Sequence, residues 1–147
     1  VAFKQALGND FKDYCNQIVK NSKTIADEMN NLGYKLVSGG TDTHLVLIDL
    51  SELNITGKLA ENSLEEAGIT VNKNMVPFDQ KSPMITSGIR IGTPAMTTRG
   101  MKEKEMKIIV QFIDKVLKNP KDIRNLENIK NEVNNFCSSF PLYKEII

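Results

Sequence analysis

The sequence predicts an α+β fold, in which helices pack on one small sheet. Segments with the three- to four-residue apolar spacing of helices alternate with short segments of strand composition, and no internal repeat is present. The length of 147 residues favours one domain, which would bury about two-thirds of the surface of the unfolded chain.

The first predicted element is a long amphipathic helix. Apolar residues recur at mostly three- and four-residue intervals from Phe11 to Leu32, which gives the helix one buried face. Asn9 or Asp10 suits the N-cap position, and Gly33 ends the pattern. The residues before this helix predict only a turn. Because the chain starts without Met inside a helical pattern, we expect it to be part of a larger protein.

A β-hairpin and a second helix follow. Residues 34–37 and 45–50 have strand composition, and the Ser, Gly, Thr and Asp between them favour a turn. Thr56 suits the N-cap of the next helix, and Gly68 suits the left-handed position after its last turn.

The middle of the chain predicts two strands that are separated by a long loop. Residues 69–71 and 88–92 have strand composition, and the second strand has glycine at both ends. Residues 72–87 show no periodicity and contain two prolines, so we predict an irregular loop of about 16 residues. Loops of this length in compact domains are often functional.

A short helical segment and two longer helices complete the predicted fold. The short segment opens at Thr93-Pro94, and apolar spacing predicts the first longer helix over residues 106–117. Asn119-Pro120 is expected to cap and start the last helix. We therefore divide the chain into an N-terminal helical segment (1–33), an α/β core (34–118) and a C-terminal helix and tail (119–147).

Composition excludes several functional classes. The chain has 19 Lys and Arg against 18 Asp and Glu, which gives no basic surface for nucleic acid. Its longest apolar runs, such as residues 45–48, are far below the roughly 20 residues that cross a bilayer, so we expect no membrane association. One His and no Cys-x-x-Cys pair argue against a metal site. We expect Cys15 and Cys137 to be buried free thiols in a cytoplasmic protein.

Arg90 is the most informative residue for function. Side chains alternate along a strand, so Ile89 and Ile91 point to the core while Arg90 points to the opposite face. Arginine presents a planar fork of donors that binds a carboxylate or phosphate through two hydrogen bonds. An ordinary surface charge is the simpler alternative, and from the strand pattern alone both interpretations stay open.

Three other polar residues lie at strand ends. Lys73 and Asn74 lie at the start of the long loop, where side chains commonly contact ligands, but from the spacing alone a turn in which Asn bonds the backbone is favoured. His44 precedes an apolar strand and is expected to be a polar strand-end residue, because no Ser or Cys completes a catalytic triad. The glycine spacings match neither phosphate-binding loop pattern.

Four stretches together resemble the C-terminal domain of the serine hydroxymethyltransferase family. The resemblance runs from the start of the chain to about residue 117 and implies the small domain of a fold-type I (aspartate aminotransferase-like) pyridoxal-phosphate enzyme. The stretches are Leu36-Val-Ser-Gly-Gly-Thr-Asp-Thr-His-Leu-Val-Leu-Ile-Asp-Leu50, Gly68-Ile-Thr-Val-Asn-Lys-Asn74, Lys81-Ser-Pro83 and Thr86-Ser-Gly-Ile-Arg-Ile-Gly-Thr-Pro-Ala-Met-Thr-Thr-Arg-Gly100.

The resemblance implies roles for individual residues. Arg90, in the Ile-Arg-Ile-Gly-Thr stretch, would bind the carboxylate of serine or glycine. A second set of residues would lie at the folate site. One of them, Met84, occupies a position where the family usually has Phe. This set is Asn74, Ser82, Pro83 and Met84, and the weaker candidates for ligand contacts are Lys73 and Arg99.

The resemblance also implies what the chain does not supply. The family's Schiff-base lysine follows a run of threonines and a His, and this sequence contains no such run. Pyridoxal phosphate would be bound mainly by a large N-terminal domain, and tetrahydrofolate would be the co-substrate. We therefore expect no catalytic residue in this chain, no activity of the chain alone, and a homodimer of the full-length enzyme.

Two other classes of function stay open at this point. The chain could act alone as a small anion-binding module through Arg90 and the loop. It could also be a dimerisation module, because the apolar face of its first helix would bind a second copy.

Overall fold

One antiparallel sheet with helices packed on one of its faces forms the core of the computed structural model, which describes residues 1–142. The four strands have the order β1-β2-β4-β3, so β2 and β4 are central. This arrangement matches the predicted helix-and-sheet architecture. The strands are β1 (Lys35–Leu36), β2 (Leu45–Asp49), β3 (Asn72–Asn74) and β4 (Gly88–Gly92). The helices are α1 (Ala2–Ala6), α2 (Asn9–Asn31), α3 (Gly57–Glu66), α4 (Pro94–Thr98), α5 (Glu103–Lys118) and α6 (Ile123–Ser138), with short 3-10 turns at Val37–Gly39 and Ser51–Leu53.

The core lies between the sheet and the longer helices. Val46 and Ile48 of β2 and Ile89 and Ile91 of β4 point to the same, buried side. The helices contribute most of the other large, fully buried side chains, which include Ile25, Met29, Leu64, Met106, Ile113, Leu126 and Ile129. Within residues 1–142, every helix is too short or too polar to span a lipid bilayer.

The sequence pattern located most elements correctly. Residues of β1 and β2 pair as an antiparallel hairpin, as predicted, with Lys35 opposite Asp49. The Thr56 hydroxyl accepts a hydrogen bond from the Leu59 amide at 3.1 Å, so the predicted cap of α3 is confirmed. Gly68, with φ of 80°, ends that helix in the left-handed region.

The predicted strand over residues 69–71 is wrong by three residues. The amide of Ile69 still donates to the Leu64 carbonyl at 2.8 Å, which ties this segment to the end of α3. Pairing with β4 therefore begins only at Asn72, opposite Arg90, and continues to Asn74. The first three residues of the predicted loop at 72–87 thus form β3, and the irregular loop spans residues 75–87.

Three helix starts also differ from prediction. The first residues form helix α1 rather than a simple turn, with a hydrogen bond from the Gln5 amide to the Val1 carbonyl. The N-cap of α2 is Gly8, in an extended conformation, rather than Asn9 or Asp10.

The last helix starts later than predicted. It begins at Ile123 rather than at Asn119-Pro120, because the Asp122 carboxylate caps it by accepting from the Asn125 amide at 3.1 Å. The predicted tail from 119 to 147 includes residues 143–147, which lie outside the described residues.

The two cysteines are free but less buried than predicted. Cys15 and Cys137 are both only partly buried, and Cys137 packs against the outside of the core.

Asn21 joins α2 to the segment after α4 from within the core. It is fully buried, and its amide nitrogen donates to the Thr97 hydroxyl at 2.9 Å and to the Met101 carbonyl at 3.0 Å. We expect Asn21→Ala to lower the free energy of unfolding by about 2 kcal/mol, because the buried Met101 carbonyl loses its donor. Urea unfolding against the exposed control Asn16→Ala tests this, and equal stability of the two variants would contradict it.

Candidate functional site

The central strand β4 presents Arg90 on the open face of the sheet. Ile89 and Ile91 are 0% and 6% exposed on the helix side, while Arg90 is exposed on the other side. The predicted alternation is therefore confirmed. Arg90 lies opposite Leu47 of β2 and Asn72 of β3, so hydrogen-bonded strands on both sides hold its backbone. A central strand is a rigid support for a ligand-binding side chain.

A hollow of about 390 Å³ opens beside Arg90. This volume lies within the range of small-molecule sites. Its walls come from three separate parts of the chain, the start of β2, the segment leading into β3, and β4. The lining residues are His44, Leu45, Thr70, Val71, Asn72, Arg90 and Gly92.

The hollow is rich in hydrogen-bond donors. Arg90 contributes a guanidinium, His44 an imidazole, Asn72 an amide and Thr70 a hydroxyl. Among residues 1–142, no acidic side chain lines the hollow, and no carboxylate lies within 4.0 Å of the Arg90 guanidinium. A guanidinium that no carboxylate neutralises suits a small ligand that brings its own carboxylate.

Three polar residues of the hollow were not predicted as ligand contacts. Thr70 and Asn72 lie in the segment that was assigned to a strand and a loop, and His44 was assigned only as a polar strand-end residue. The signal that could have identified them is strand pairing, because Asn72 lies directly opposite Arg90. That pairing is set by the fold and not by any local sequence pattern.

Lys73 points away from this hollow. Side chains alternate along β3, so Lys73 lies on the helix side, opposite Ile89. Its amide and its ammonium both donate to the Glu61 carboxylate of α3, each at 2.9 Å. The hydrogen bond from the Lys73 backbone, aided by its ammonium charge, lowers the pKa of Glu61 despite partial desolvation. The structure therefore gives Lys73 a contact that joins β3 to α3.

The candidate folate residues lie where the loop meets the sheet. Asn74 shares the open face with Asn72, and its amide donates to the Met75 carbonyl at 2.7 Å. Ser82, Pro83 and Met84 lie at the outside of loop 75–87, and the Met84 side chain is 71% exposed. Gly88, where the loop rejoins the sheet, is two residues from Arg90, or about 7 Å along the strand.

Arg99 lies apart from the hollow. Its Nε donates to the Phe140 carbonyl at 2.8 Å and its Nη2 to the Cys137 carbonyl at 3.0 Å. These carbonyls belong to the last turn of α6 and the residues after it, where helix hydrogen bonding ends. In the structure Arg99 therefore fixes the end of α6, and it does not lie with Arg90.

Comparison with known families gives a match over most of this chain. The family model described as serine hydroxymethyltransferase matches residues 1–113. The match includes the whole sheet, the hollow and loop 75–87, and it ends within α5.

Proposed function

Because the chain belongs to the serine hydroxymethyltransferase family, we propose that it is the small domain of an enzyme that interconverts serine and glycine. In this proposal, tetrahydrofolate accepts the one-carbon unit that serine loses. The observation that carries the proposal is Arg90, a guanidinium without a carboxylate partner among residues 1–142, in a donor-rich hollow on a rigid strand.

Arg90 would bind the carboxylate of the amino acid. Two parallel N–H donors can engage both carboxylate oxygens, which fixes the rotation of the substrate as well as its position. Orientation matters because the bond to be broken must be aligned with the group that accepts its electrons. The pairing of β4 with β2 and β3 would keep the backbone from which the guanidinium extends at a constant place during the reaction.

The family uses pyridoxal phosphate, which withdraws electrons from the amino acid when it is bound. The residues of this hollow do not suit the attachment of that cofactor. Among residues 1–142, no lysine lines it to form a Schiff base and no acidic side chain lines it to pair with the pyridine nitrogen. We therefore propose that a large N-terminal domain of the same protein holds the cofactor. The small domain described here would contribute the binding of the substrate carboxylate.

Asn74 and residues 82–84 would provide the folate side of the site. The Asn74 side chain has both a donor and an acceptor, which suits the edge of a pteridine ring. The exposed Met84 would supply apolar contact in place of the family's usual Phe. Lys73 and Arg99 are weaker candidates, because their side chains already have partners at 3.0 Å or less.

The proposal extends to assembly and location. We propose that the full-length enzyme is a homodimer, as the family resemblance implies. The free thiols of Cys15 and Cys137 support a reducing compartment such as the cytoplasm.

Calorimetric titration of the isolated chain with serine tests whether this domain needs the rest of the enzyme. We expect no saturable binding, because Arg90 alone is an exposed charge in water. The full-length protein with pyridoxal phosphate should convert serine to glycine, and omission of tetrahydrofolate should abolish that turnover.

Two results would contradict the proposal. Saturable serine binding by the isolated chain would favour the alternative of a stand-alone anion-binding module. A mass of the isolated chain that rises with concentration, without serine turnover by the full-length protein, would favour a dimerisation module.

A further inference from the structure

One carboxylate closes loop 75–87. Asp79 accepts hydrogen bonds from the Val76 amide at 3.3 Å, the Lys81 amide at 2.9 Å and the Ser87 amide at 2.8 Å. It also accepts from the Ser87 hydroxyl at 2.7 Å. A carboxylate has capacity for about four such bonds, so Asp79 is close to saturated.

These contacts join the two ends of the loop. Ser87 immediately precedes β4, and Val76 lies two residues after β3. The Lys81 ammonium adds a bond to the Ser87 hydroxyl at 3.1 Å. The segment that contains Ser82, Pro83 and Met84 is therefore held at its base by Asp79.

The outside of the loop has little else to hold it. Ser82, Pro83 and Met84 are all exposed, so burial of their own side chains does not fix them. The Ser82 carbonyl accepts from the amides of Ile85 and Thr86, both at 2.9 Å, which shapes the turn but does not anchor it. The position of this turn relative to the sheet therefore depends on the Asp79 contacts and on two backbone bonds from α3 to residues 85 and 86.

The charge of Asp79 strengthens the arrangement. Partial burial opposes ionisation, but the hydrogen bonds from Lys81, Ser87 and Val76 outweigh it and lower the pKa of Asp79 to about 2. The group is therefore ionised at neutral pH, and hydrogen bonds to an ionised acceptor are stronger than those to a neutral one.

We propose that Asp79 is the positioning residue for folate binding, because it pre-forms the loop that carries residues 82–84. This inference rests on the proposed function. Ordering a flexible loop costs conformational entropy, and a loop that is already ordered avoids that cost when the ligand binds. Arg90 is held by the strand ladder and not by the loop, so amino-acid binding should be independent of Asp79.

The test uses Asp79→Asn in the full-length enzyme. The amide keeps the size of the side chain but removes its charge, so it cannot accept four bonds equally well. We expect the KM for tetrahydrofolate to rise about tenfold or more, equivalent to roughly 1.4 kcal/mol, while the KM for serine stays within twofold. Asp42→Asn is the matched control, since Asp42 is a loop carboxylate whose side chain is 97% exposed.

A second, milder variant tests the inference if Asp79→Asn does not fold. Ser87→Ala removes the hydroxyl that donates to Asp79 and accepts from the Lys81 ammonium, but it keeps the bond from the Ser87 amide to Asp79. We expect it to raise the KM for tetrahydrofolate by a smaller factor, with the KM for serine unchanged. An unchanged folate KM in both variants, or equal increases of both KM values, would overturn the inference. If the wild-type enzyme shows no folate-dependent turnover, the proposed function itself is refuted. This result distinguishes failure of the proposed function from failure of the inference about Asp79.

Discussion

Arg90→Lys in the full-length enzyme is expected to lower kcat/KM for serine by about 100-fold or more, a loss of roughly 2.7 kcal/mol in transition-state stabilisation. Lysine keeps the positive charge but offers a point charge instead of a planar fork, so it cannot hold both carboxylate oxygens in one orientation. The other donors of the hollow, such as the Asn72 amide and the His44 imidazole, cannot replace the fork, because neither presents two parallel N–H donors on a permanently charged group.

The stability of the Arg90→Lys variant should match that of the wild type within about 0.5 kcal/mol, because this exposed side chain has no ion pair within residues 1–142. Steady-state kinetics with serine, beside thermal unfolding, separate loss of function from loss of fold. Arg124→Lys on the exposed face of α6 is the matched control and should leave kcat/KM within twofold. Activity of Arg90→Lys within a few-fold of wild type would contradict the carboxylate role.

The orientation of Arg90 could be predicted because it depends on local geometry. Residues i and i+2 of a strand share a face whatever the strand pairs with, so two isoleucines on either side place the arginine opposite them. The same holds for the apolar stripe of α2 and for the Thr56 cap, which depend on residues within one or two helical turns.

The contacts that define the site could not be predicted in this way. The hollow needs His44, Asn72 and Arg90, which are brought together by strand pairing across 18 to 46 residues. The position of β3 along the chain was wrong by three residues, since a hydrogen bond from the Ile69 amide to the end of α3 delays its pairing with β4.

The hydrogen-bond partners of Lys73 and Asp79 could not be predicted from the sequence either. Lys73 looked like a ligand contact because it starts a loop, but Glu61 of α3 lies within 2.9 Å of it. The sequence indicates only the local role of Asp79. An aspartate can accept a hydrogen bond from the backbone amide two residues later in an Asx turn, and here that amide belongs to Lys81. The more important partner of Asp79, Ser87, is eight residues away and becomes visible only when the loop is closed.

Gly57→Ala is expected to lower the free energy of unfolding by about 2 to 3 kcal/mol. This direction is opposite to that of helix propensity, by which Ala in place of Gly within a helix gains up to about 1 kcal/mol. Gly57 is the first residue of α3 and does not have a positive φ, so alanine would not strain its backbone. The cost comes instead from space, because an added Cβ would overlap with the Thr86 hydroxyl and the Gly88 carbonyl.

Neither neighbour of Gly57 can move freely. Gly88 is paired with Asp49 on one side and with Asn74 on the other, and Thr86 accepts a backbone hydrogen bond from Gly57 itself. Relief of the overlap must therefore shift α3 away from the strand that carries Arg90. Gly40→Ala is the matched control, because Gly40 has an extended φ of 172° and no atom within 4 Å of an added Cβ. Chemical denaturation of both variants measures the difference in their free energies of unfolding. If Gly57→Ala is as stable as Gly40→Ala, α3 adjusts without cost and the prediction is wrong.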